Sequence, residues 1–284
     1  MSTSNTDELQ RFSFDQAPIR GEIVHLQTSL SDALDRHTYP RAVAIELGEL
    51  MAAAALLSAN LKFEGRLTLQ VRLPGPVSLL QAETDHQGKL RAIARYDENL
   101  IDTDIQFGKG QLVITLEPEQ GQKYQGITLI EGGDISAALV NYFEQSEQLS
   151  TRIWLTCDGQ QSAGFLLQKL PASSADKDED AWSRITHLAS TIKDDELLGL
   201  DNEVLLHRLY HEEVVRTYPA TPLSFQCTCS RPRLEVALRQ LGKEEVTKMI
   251  HETPVISINC EFCLQQYDFS QDDLGSIFPH QQLH

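Results

Sequence analysis

The stretch FQCTCSRPR, residues 225–233, carries two cysteines one residue apart, Cys227 and Cys229. A second pair, Cys260 and Cys263, follows thirty residues later in INCEFC. C-x-x-C is the spacing with which a tight turn aims two sulfurs at one metal ion. In an extended C-x-C segment both side chains point to the same side, with Cα atoms about 6.6 Å apart, and a bend can bring both sulfurs to one ion.

The two pairs together predict a structural zinc site, with one Zn²⁺ per chain. Four thiolates fill the tetrahedral shell of zinc and leave no position for a reactive water. Soft sulfur ligands exclude magnesium and calcium, and the familiar spacings of iron–sulfur ligands differ from this one. His251 is an alternative ligand, but a histidine that faces solvent or is satisfied in the core is the simpler interpretation.

The fifth cysteine, Cys157, lies far from the others in sequence, and we interpret it as a core residue without a functional role. We expect a cytoplasmic protein, and an odd number of cysteines in a reducing compartment argues against a constitutive disulfide framework. The N-terminal residues MSTSNTDELQ have neither the basic start nor the apolar run of a secretory signal. The most apolar segment, residues 50–59, is about half as long as a bilayer-spanning helix.

The chain is strongly acidic, and this limits its partners. Its 24 Lys and Arg residues face 41 Asp and Glu residues, which gives a formal net charge of −17. Such a surface repels phosphate backbones and anionic lipids, so neither nucleic acid nor membrane is an expected partner. High net charge also keeps a protein soluble when it carries apolar cargo.

Composition separates the 284 residues into three regions. Residues 1–171 interleave strand and helix patterns without a regular βαβ repeat, which predicts an α+β core domain. Residues 172–222 open with a polar, acidic run and form a predicted helical linker. Residues 223–284 hold the four clustered cysteines and form a predicted small zinc-binding domain.

In the first region, apolar residues recur at helical spacing from Val43 to Leu57, behind a Pro40 that suits a helix start. Asp134 is expected to cap a second helix. The predicted strands are RLTLQVRL, PVSLLQAET, KLRAIARY, LVITLE, TRIWLTC and AGFLLQKLP, with hairpin turns at HQG (86–88) and Asp158–Gly159.

The linker contains two candidate helices. Trp182, Ile185, Leu188 and Ile192 lie on one face of the first, and the second begins near Asp201. Helices this short depend on packing against something else. Their apolar stripes are therefore either buried or available to a partner.

The third region is expected to depend on its metal. It contains a predicted helix, PRLEVALRQL, that ends at Gly242, a strand, VISIN, and a last short helix capped by Ser270. A module this small has only a few kcal/mol of its own, whereas structural zinc contributes on the order of 10–16 kcal/mol. We expect the region to unfold without zinc, and linker helices that rest on it to expose their apolar stripes.

The paired cysteines also offer a way to remove the metal. Both pairs are close enough for local disulfides, although C-x-C lies near the upper limit of Cα separation. Arg231, Arg233 and Arg239 would favour thiolates nearby, and thiolates are open to strong oxidants. A purely structural site needs no such pairing, so we interpret the first pair as half of a switch.

The sequence resembles the redox-regulated 33-kDa heat-shock chaperone family, also called the 33-kDa chaperonins. The resemblance rests on C-x-C and C-x-x-C about thirty residues apart and on CTCSR at the first pair. It extends along nearly the whole chain through YQGIT (124–128), NYFEQSEQ (141–148), FLLQKLP (165–171) and LYHEEVVR (209–216).

The resemblance implies an ATP-independent holdase rather than an enzyme. Members are cytoplasmic, zinc-bound and inactive when reduced; hypochlorous acid, or peroxide with heat, forms two disulfides and releases zinc. The linker then loses structure, surface for unfolded client proteins appears, and the protein dimerises. Carried over to this sequence, Cys227, Cys229, Cys260 and Cys263 are the zinc ligands, and Cys227–Cys229 and Cys260–Cys263 are the disulfides.

Two other functions remain as alternatives. A zinc-ribbon module could bind nucleic acid, but the acidity and the lack of a basic stripe with interleaved aromatics argue against it. A thiol–disulfide oxidoreductase could use Cys260 and Cys263, but that chemistry usually places the reactive thiol at a helix N-terminus, and VISINCEFC predicts a strand.

Overall fold

The computed structural model describes residues 7–59, 61, 64–100, 105, 107–171 and 178–278, and the chain divides into two compact units, residues 1–226 and 227–284. The strands of the first unit are β1 Glu8–Phe14, β2 Ile19–Leu26, β3 Gly65–Arg72, β4 Val77–Asp85, β5 Lys89–Tyr96, β6 Gly110–Pro118, β7 Tyr124–Ile130, β8 Thr151–Cys157, β9 Ser162–Lys169, β10 Val215–Thr217, β11 Thr221–Pro222 and β12 Ser224–Phe225. Its helices are α1 Thr28–Leu34, α2 Arg41–Ser58, α3 Ile135–Tyr142, α4 Ala181–Ala189, α5 Asp194–Gly199 and α6 Asn202–Tyr210, with a π-helical turn at Phe143–Glu147.

The strands of this unit form two sheets. The first has the order β10-β1-β2-β9-β8, with β11 also paired to β1, and the second has the order β12-β5-β4-β3-β6-β7. Every described pair is antiparallel except the short parallel pair of β12 with β5. Five of the ten described strand pairs in this unit join consecutive strands, as hairpins of antiparallel sheets do.

Helix α2 is the centre of the larger core because it contacts strands of both sheets. Its residues from Leu50 to Leu57 are all buried, so the helix is apolar on nearly every side, as a helix enclosed by protein must be. Gly48 lets it approach β8 closely, since a Cβ at that position would collide with the Sγ of Cys157. Among the described helices, none is both long and apolar enough to cross a bilayer.

A second core covers the other face of the first sheet. Phe12, Phe14 and Phe165 project from the sheet into a cluster completed by α4, α5 and α6. Ile185 of α4 is fully buried there, and the Tyr210 hydroxyl of α6 donates to the Ile185 carbonyl at 3.2 Å. The helices that follow the acidic run are therefore fastened to this sheet by apolar contact.

The second unit is small and has its own apolar cluster. It consists of α7 Arg231–Leu241, α8 Lys243–Glu252, β13 Val255–Asn259, β14 Gln266–Ser270, a 3₁₀ turn Gln271–Asp273 and α9 Leu274–Ile277. Strands β13 and β14 form an antiparallel hairpin. The buried residues of the cluster are Leu238, Val246, Ile250, Ile256, Phe269 and Ile277.

The predicted α+β class is confirmed, as are α2, the Asp134 cap and both predicted hairpins. Asp134 accepts from the Ala137 amide at 2.8 Å, and β8 and β9 flank Asp158–Gly159. Sequence reasoning missed α1, α8, β1, β2, β7, β14 and the short strands β10, β11 and β12, and it predicted two helices where α4, α5 and α6 form three. The apolar faces of these helices lie on the first sheet.

The division at residues 171 and 222 stays a prediction. The segment up to Gln226 belongs to the first unit, where Leu223 is part of the larger core. Immediately before the first cysteine, β12 is bonded to β5 and the Gln226 amide donates to the Leu90 carbonyl at 2.8 Å.

Candidate metal centre

The first cysteine pair lies in an irregular segment between β12 and α7. Helix α7 begins immediately after Ser230, with Pro232 in its first turn, where a missing N–H costs nothing. Arg233 reaches back from this turn and donates to the Thr228 carbonyl at 2.8 Å, between the two cysteines. The helix start thus holds the bend that places both sulfurs on one side.

The second pair forms the turn of the β13–β14 hairpin. The Cys260 amide donates to the Gln265 carbonyl at 2.9 Å, and the Leu264 amide donates to the Cys260 carbonyl at 2.8 Å. Leu264 has φ of 57°, the left-handed conformation that closes such a tight turn at some cost. Cys260 therefore follows a strand, as predicted, and is not at the N-terminus of a helix.

The structure brings all four predicted ligands together. Cys227 and Cys260 have their Sγ atoms 3.6 Å apart, Cys229 and Cys263 have theirs 3.3 Å apart, and all four sulfurs lie within 4.8 Å of one another. Zn–S bonds of about 2.3 Å in a tetrahedron imply sulfurs about 3.8 Å apart. The four cysteines thus fit a zinc ion with little rearrangement.

Ionisation of the clustered thiols is coupled. Burial raises the pKa of Cys227, but bonds to its sulfur from the Cys229 amide and the other thiols outweigh this and lower the pKa to about 7. Burial, and then bonding to an already charged neighbour, raises the pKa of Cys260 and of Cys263. A thiolate at Cys227 therefore disfavours ionisation of Cys260 and Cys263, and a bound cation would favour it.

Tyr267 contacts the cluster and was missed by sequence reasoning. Its hydroxyl lies 3.2 Å from the Cys229 Sγ, and the bond to this sulfur raises the pKa of Tyr267 to about 12. On β14 it shares a face with Phe269, two residues on, which anchors the strand in the apolar cluster. The i, i+2 spacing of Tyr267 and Phe269 indicates a strand face, but it does not show that the hydroxyl reaches a cysteine.

Arg231 ties the metal-site end of α7 to β14 and the following turn. Its guanidinium stacks on Phe269 at 4.4 Å, donates to the Asp268 carbonyl at 2.8 Å and pairs with Asp273 at 2.5 Å. Ser270 and Asp273 form the predicted cap of the last turn. The charge of Arg231 is therefore paired with Asp273, and its hydrogen bonds hold the start of α7 against β14.

The other two candidate residues are not at this site. His251 is exposed on the last turn of α8 and is outside the four-sulfur cluster. Cys157 is buried in the first unit, where burial raises its pKa to about 11. A thiol that is protonated and covered reacts slowly, which agrees with a core role.

Comparison with known proteins gives one consistent match. The family model described as Hsp33 protein matches residues 7–270. The 33 kDa chaperonin of Pseudomonas savastanoi pv. phaseolicola is 46% identical over 282 residues, 96% of this chain and 94% of the relative. The 33 kDa chaperonin of Pseudomonas aeruginosa strain LESB58 is 45% identical over 284 residues, 97% of this chain and 95% of the relative.

The fold is also shared with a solved structure. The crystal structure of a 33 kDa chaperonin from Thermotoga maritima superposes with a TM-score of 0.79, covering 95% of this chain and 97% of that one. Identity is 21%, so this likeness bears on the fold alone.

Proposed function

The chain belongs to the Hsp33 family of chaperones, and on this premise we propose that it is a redox-regulated, ATP-independent holdase. The proposal rests above all on four cysteine sulfurs within 4.8 Å of one another in a unit with a small apolar cluster. In the reduced protein, Cys227, Cys229, Cys260 and Cys263 hold one Zn²⁺ and the protein is inactive. The metal supplies folding energy, since a closed shell of four thiolates leaves no catalytic position.

Activation is proposed to be oxidation of the four sulfurs to two disulfides, Cys227–Cys229 and Cys260–Cys263. For each pair, two thiolates, one hypochlorous acid and one proton give a disulfide, chloride and water. The sulfurs lose two electrons and the chlorine gains them. The oxidised chain has no thiolates left for zinc and releases it. In the tetrahedral cluster every sulfur is near every other, so the pairing must be mapped chemically.

Loss of the metal is proposed to unfold the second unit and then the linker. The covalent path is short, because Cys227 directly follows the segment that β12 bonds to the second sheet. A two-residue strand is a weak anchor. Further upstream, β10 holds the same segment to β1, and α4–α6 cover the apolar face that contains Phe12 and Phe165.

Client binding is proposed to use apolar surface that the reduced protein buries. When α4–α6 leave the first sheet, Ile185 and its neighbours on the helices become available. Exposed apolar surface binds unfolded polypeptide, and a net charge of −17 keeps the loaded complex soluble. Unfolded proteins in the cytoplasm are the proposed partners, with a homodimer forming on activation, and no catalysed reaction is proposed.

The proposal is tested by following three quantities in one oxidation experiment. Reduced, zinc-loaded protein is treated with hypochlorous acid while zinc release, thiol loss and suppression of aggregation of a heat-denatured client are recorded. All three should change together, and peptide mapping should give the two local disulfides. A fully reduced protein that protects the client equally well contradicts the proposal.

Two controls separate this function from its alternatives. Cys157→Ala removes the one cysteine outside the cluster and should leave zinc content and activation unchanged. Cys263→Ser should lose zinc binding. Multiple turnovers of disulfide reduction by the reduced wild type would instead favour an oxidoreductase.

A further inference from the structure

Strand β7 is an edge strand with an apolar surface. It is bonded to β6 on one side, and no described strand pairs with its other side. Its sequence, YQGITLI, carries no charge, although edge strands usually carry charges that prevent pairing with other chains. Ile127 is 58% exposed and Leu129 is 69% exposed. An uncharged edge with exposed aliphatic side chains favours strand addition.

The open edge lies in a groove beside α3. The groove has a volume of about 590 Å³, with Ile127 and Leu129 on the strand side and Ala137, Asn141 and Gln145 on the helix side. Helix α3 packs on the inner face of the strand, where Tyr142 lies so close to Gly126 that a Cβ there would collide with its ring. Ile127 and Leu129 are exposed on the outer face.

Two opposite charges flank the uncharged strand. Lys123 precedes it and Glu131 follows it, with side chains 57% and 66% exposed. If a second copy pairs antiparallel with Ile127 opposite Ile127, Lys123 of each copy lies opposite Glu131 of the other. Each charge already has a surface partner, Glu117 for Lys123 at 2.7 Å and Lys109 for Glu131 at 2.8 Å. The pairing therefore joins these into an alternating row of four charges on each side of the axis.

We propose that β7 is a homodimer interface, in which two copies pair edge to edge and their second sheets become continuous. The arrangement is isologous, with the two-fold axis at Ile127 and perpendicular to the sheet, and closes at two copies. Leu129 then lies opposite Gln125, and α3 of each copy lies on the same face of the joined sheet. An extended client segment fits the groove too, but it has no fixed flanking charges, so the charge match selects a second copy.

This inference adds a dimer geometry to the proposed function and is tested without a client. The mass distribution of wild type is measured by sedimentation over a range of concentrations, in the reduced and in the oxidised state. Ile127→Lys places two ammonium groups opposite each other at the axis and should lower the association constant at least tenfold. Ser78→Lys, a control that adds the same charge at an exposed position on β4 of the same sheet, should leave association unchanged.

Charge reversal tests the register itself. Lys123→Glu and Glu131→Lys each place like charges opposite one another and should weaken association, whereas the double variant should restore it. Restoration also shows that the single variants were folded.

Three results overturn the interface. They are a wild type that stays monomeric in both redox states, an Ile127→Lys variant that associates like wild type, and a double reversal that fails to restore association. Loss of client protection by Ile127→Lys at unchanged mass would assign the groove to clients and equally overturn it. Zinc release and client protection, measured on the same samples, report on the holdase function separately.

Discussion

Removal of zinc from the fully reduced protein should unfold the second unit and then release α4–α6, while α2 and strands β3 to β6 of the first unit stay folded. The apolar cluster of the second unit has six buried side chains, worth about 1.5–3 kcal/mol each, or roughly 9–18 kcal/mol before the cost of ordering the chain. After that cost, a module of this size rarely keeps more than about 3–5 kcal/mol. Structural zinc contributes about 10–16 kcal/mol, as much as the whole cluster. Its loss therefore exceeds any net stability that the unit has.

The measurement is hydrogen exchange combined with limited proteolysis. Protein is dialysed against a chelator under a phosphine reductant, and zinc loss and five free thiols are confirmed before the assay. Amides of β13 and β14 should exchange at the rates of an unfolded chain, and proteases should cut within α7 and α8. Strands β3 to β6 should keep their protection, because their core contains no part of the metal site.

The control and the contradicting result are both clear. Zinc-reloaded protein should regain protection in β13 and β14, which separates metal loss from chain damage. If metal-free, thiol-intact protein keeps β13, β14 and α7 protected, the second unit is stable on its own. Oxidation would then release zinc without unfolding the second unit, and zinc release could not expose surface for clients.

Three further changes follow from named contacts. Tyr267→Phe keeps the ring and removes the hydroxyl that bonds the Cys229 sulfur. Zinc affinity, measured by chelator competition, should fall about tenfold while the fold stays unchanged. Unaltered affinity contradicts a role for this hydrogen bond. Replacing Ile185 and Leu188 with serine removes several kcal/mol of packing free energy between α4 and the first sheet. The double variant should either release α4–α6 in the reduced state, measured by proteolysis, or weaken client binding, measured by aggregation assays. If neither changes, these residues are not involved. Burial raises the pKa of Glu46 to about 8, so the folded state holds a proton that the unfolded chain gives up, and the free energy of unfolding falls as pH rises from about 4.5 to 8. Glu46→Gln should therefore raise the free energy of unfolding by on the order of 1–3 kcal/mol at pH 8 and by little at pH 5, as measured by denaturant titration. An equal effect at both pH values contradicts the assignment.

The cluster of four cysteines could be predicted from sequence because the information is local. The spacing within each pair predicts a bend that brings its two sulfurs to one ion. The soft sulfur ligands indicate which metal that ion is. Tyr267 could not be assigned in the same way. Its role depends on β13 and β14 pairing in one register, with Ile258 opposite Tyr267, and on the C-x-C segment reaching the hairpin. The contact between Tyr267 and Cys229 therefore depends on how distant segments fold together, which no local sequence pattern shows.

Strands β1 and β2 were missed because their first sheet is buried on both faces. Leu9 and Val24 face the larger core, whereas Phe12 and Ile23 face the second core, so apolar residues on both faces blur the alternation that marks a half-exposed strand. The second face acquires its cover from α4–α6, far along the chain. No local pattern identifies so distant a partner.

The same arrangement explains why sequence cannot separate core from client surface in the linker. A stripe such as that of Ile185 is correct core for the reduced protein, because Ile185 is fully buried against the first sheet. A face that binds a helix through aliphatic and aromatic contact has no chemical means of rejecting an unfolded client. Under the proposed function, client binding is controlled by whether α4–α6 are packed on the first sheet. If so, client affinity should rise as the helices are destabilised and fall again once substitutions remove the apolar contacts that clients also use. If client affinity only rises, or only falls, across a series of progressively smaller or more polar residues at Ile185, the helices and the clients do not use the same contacts.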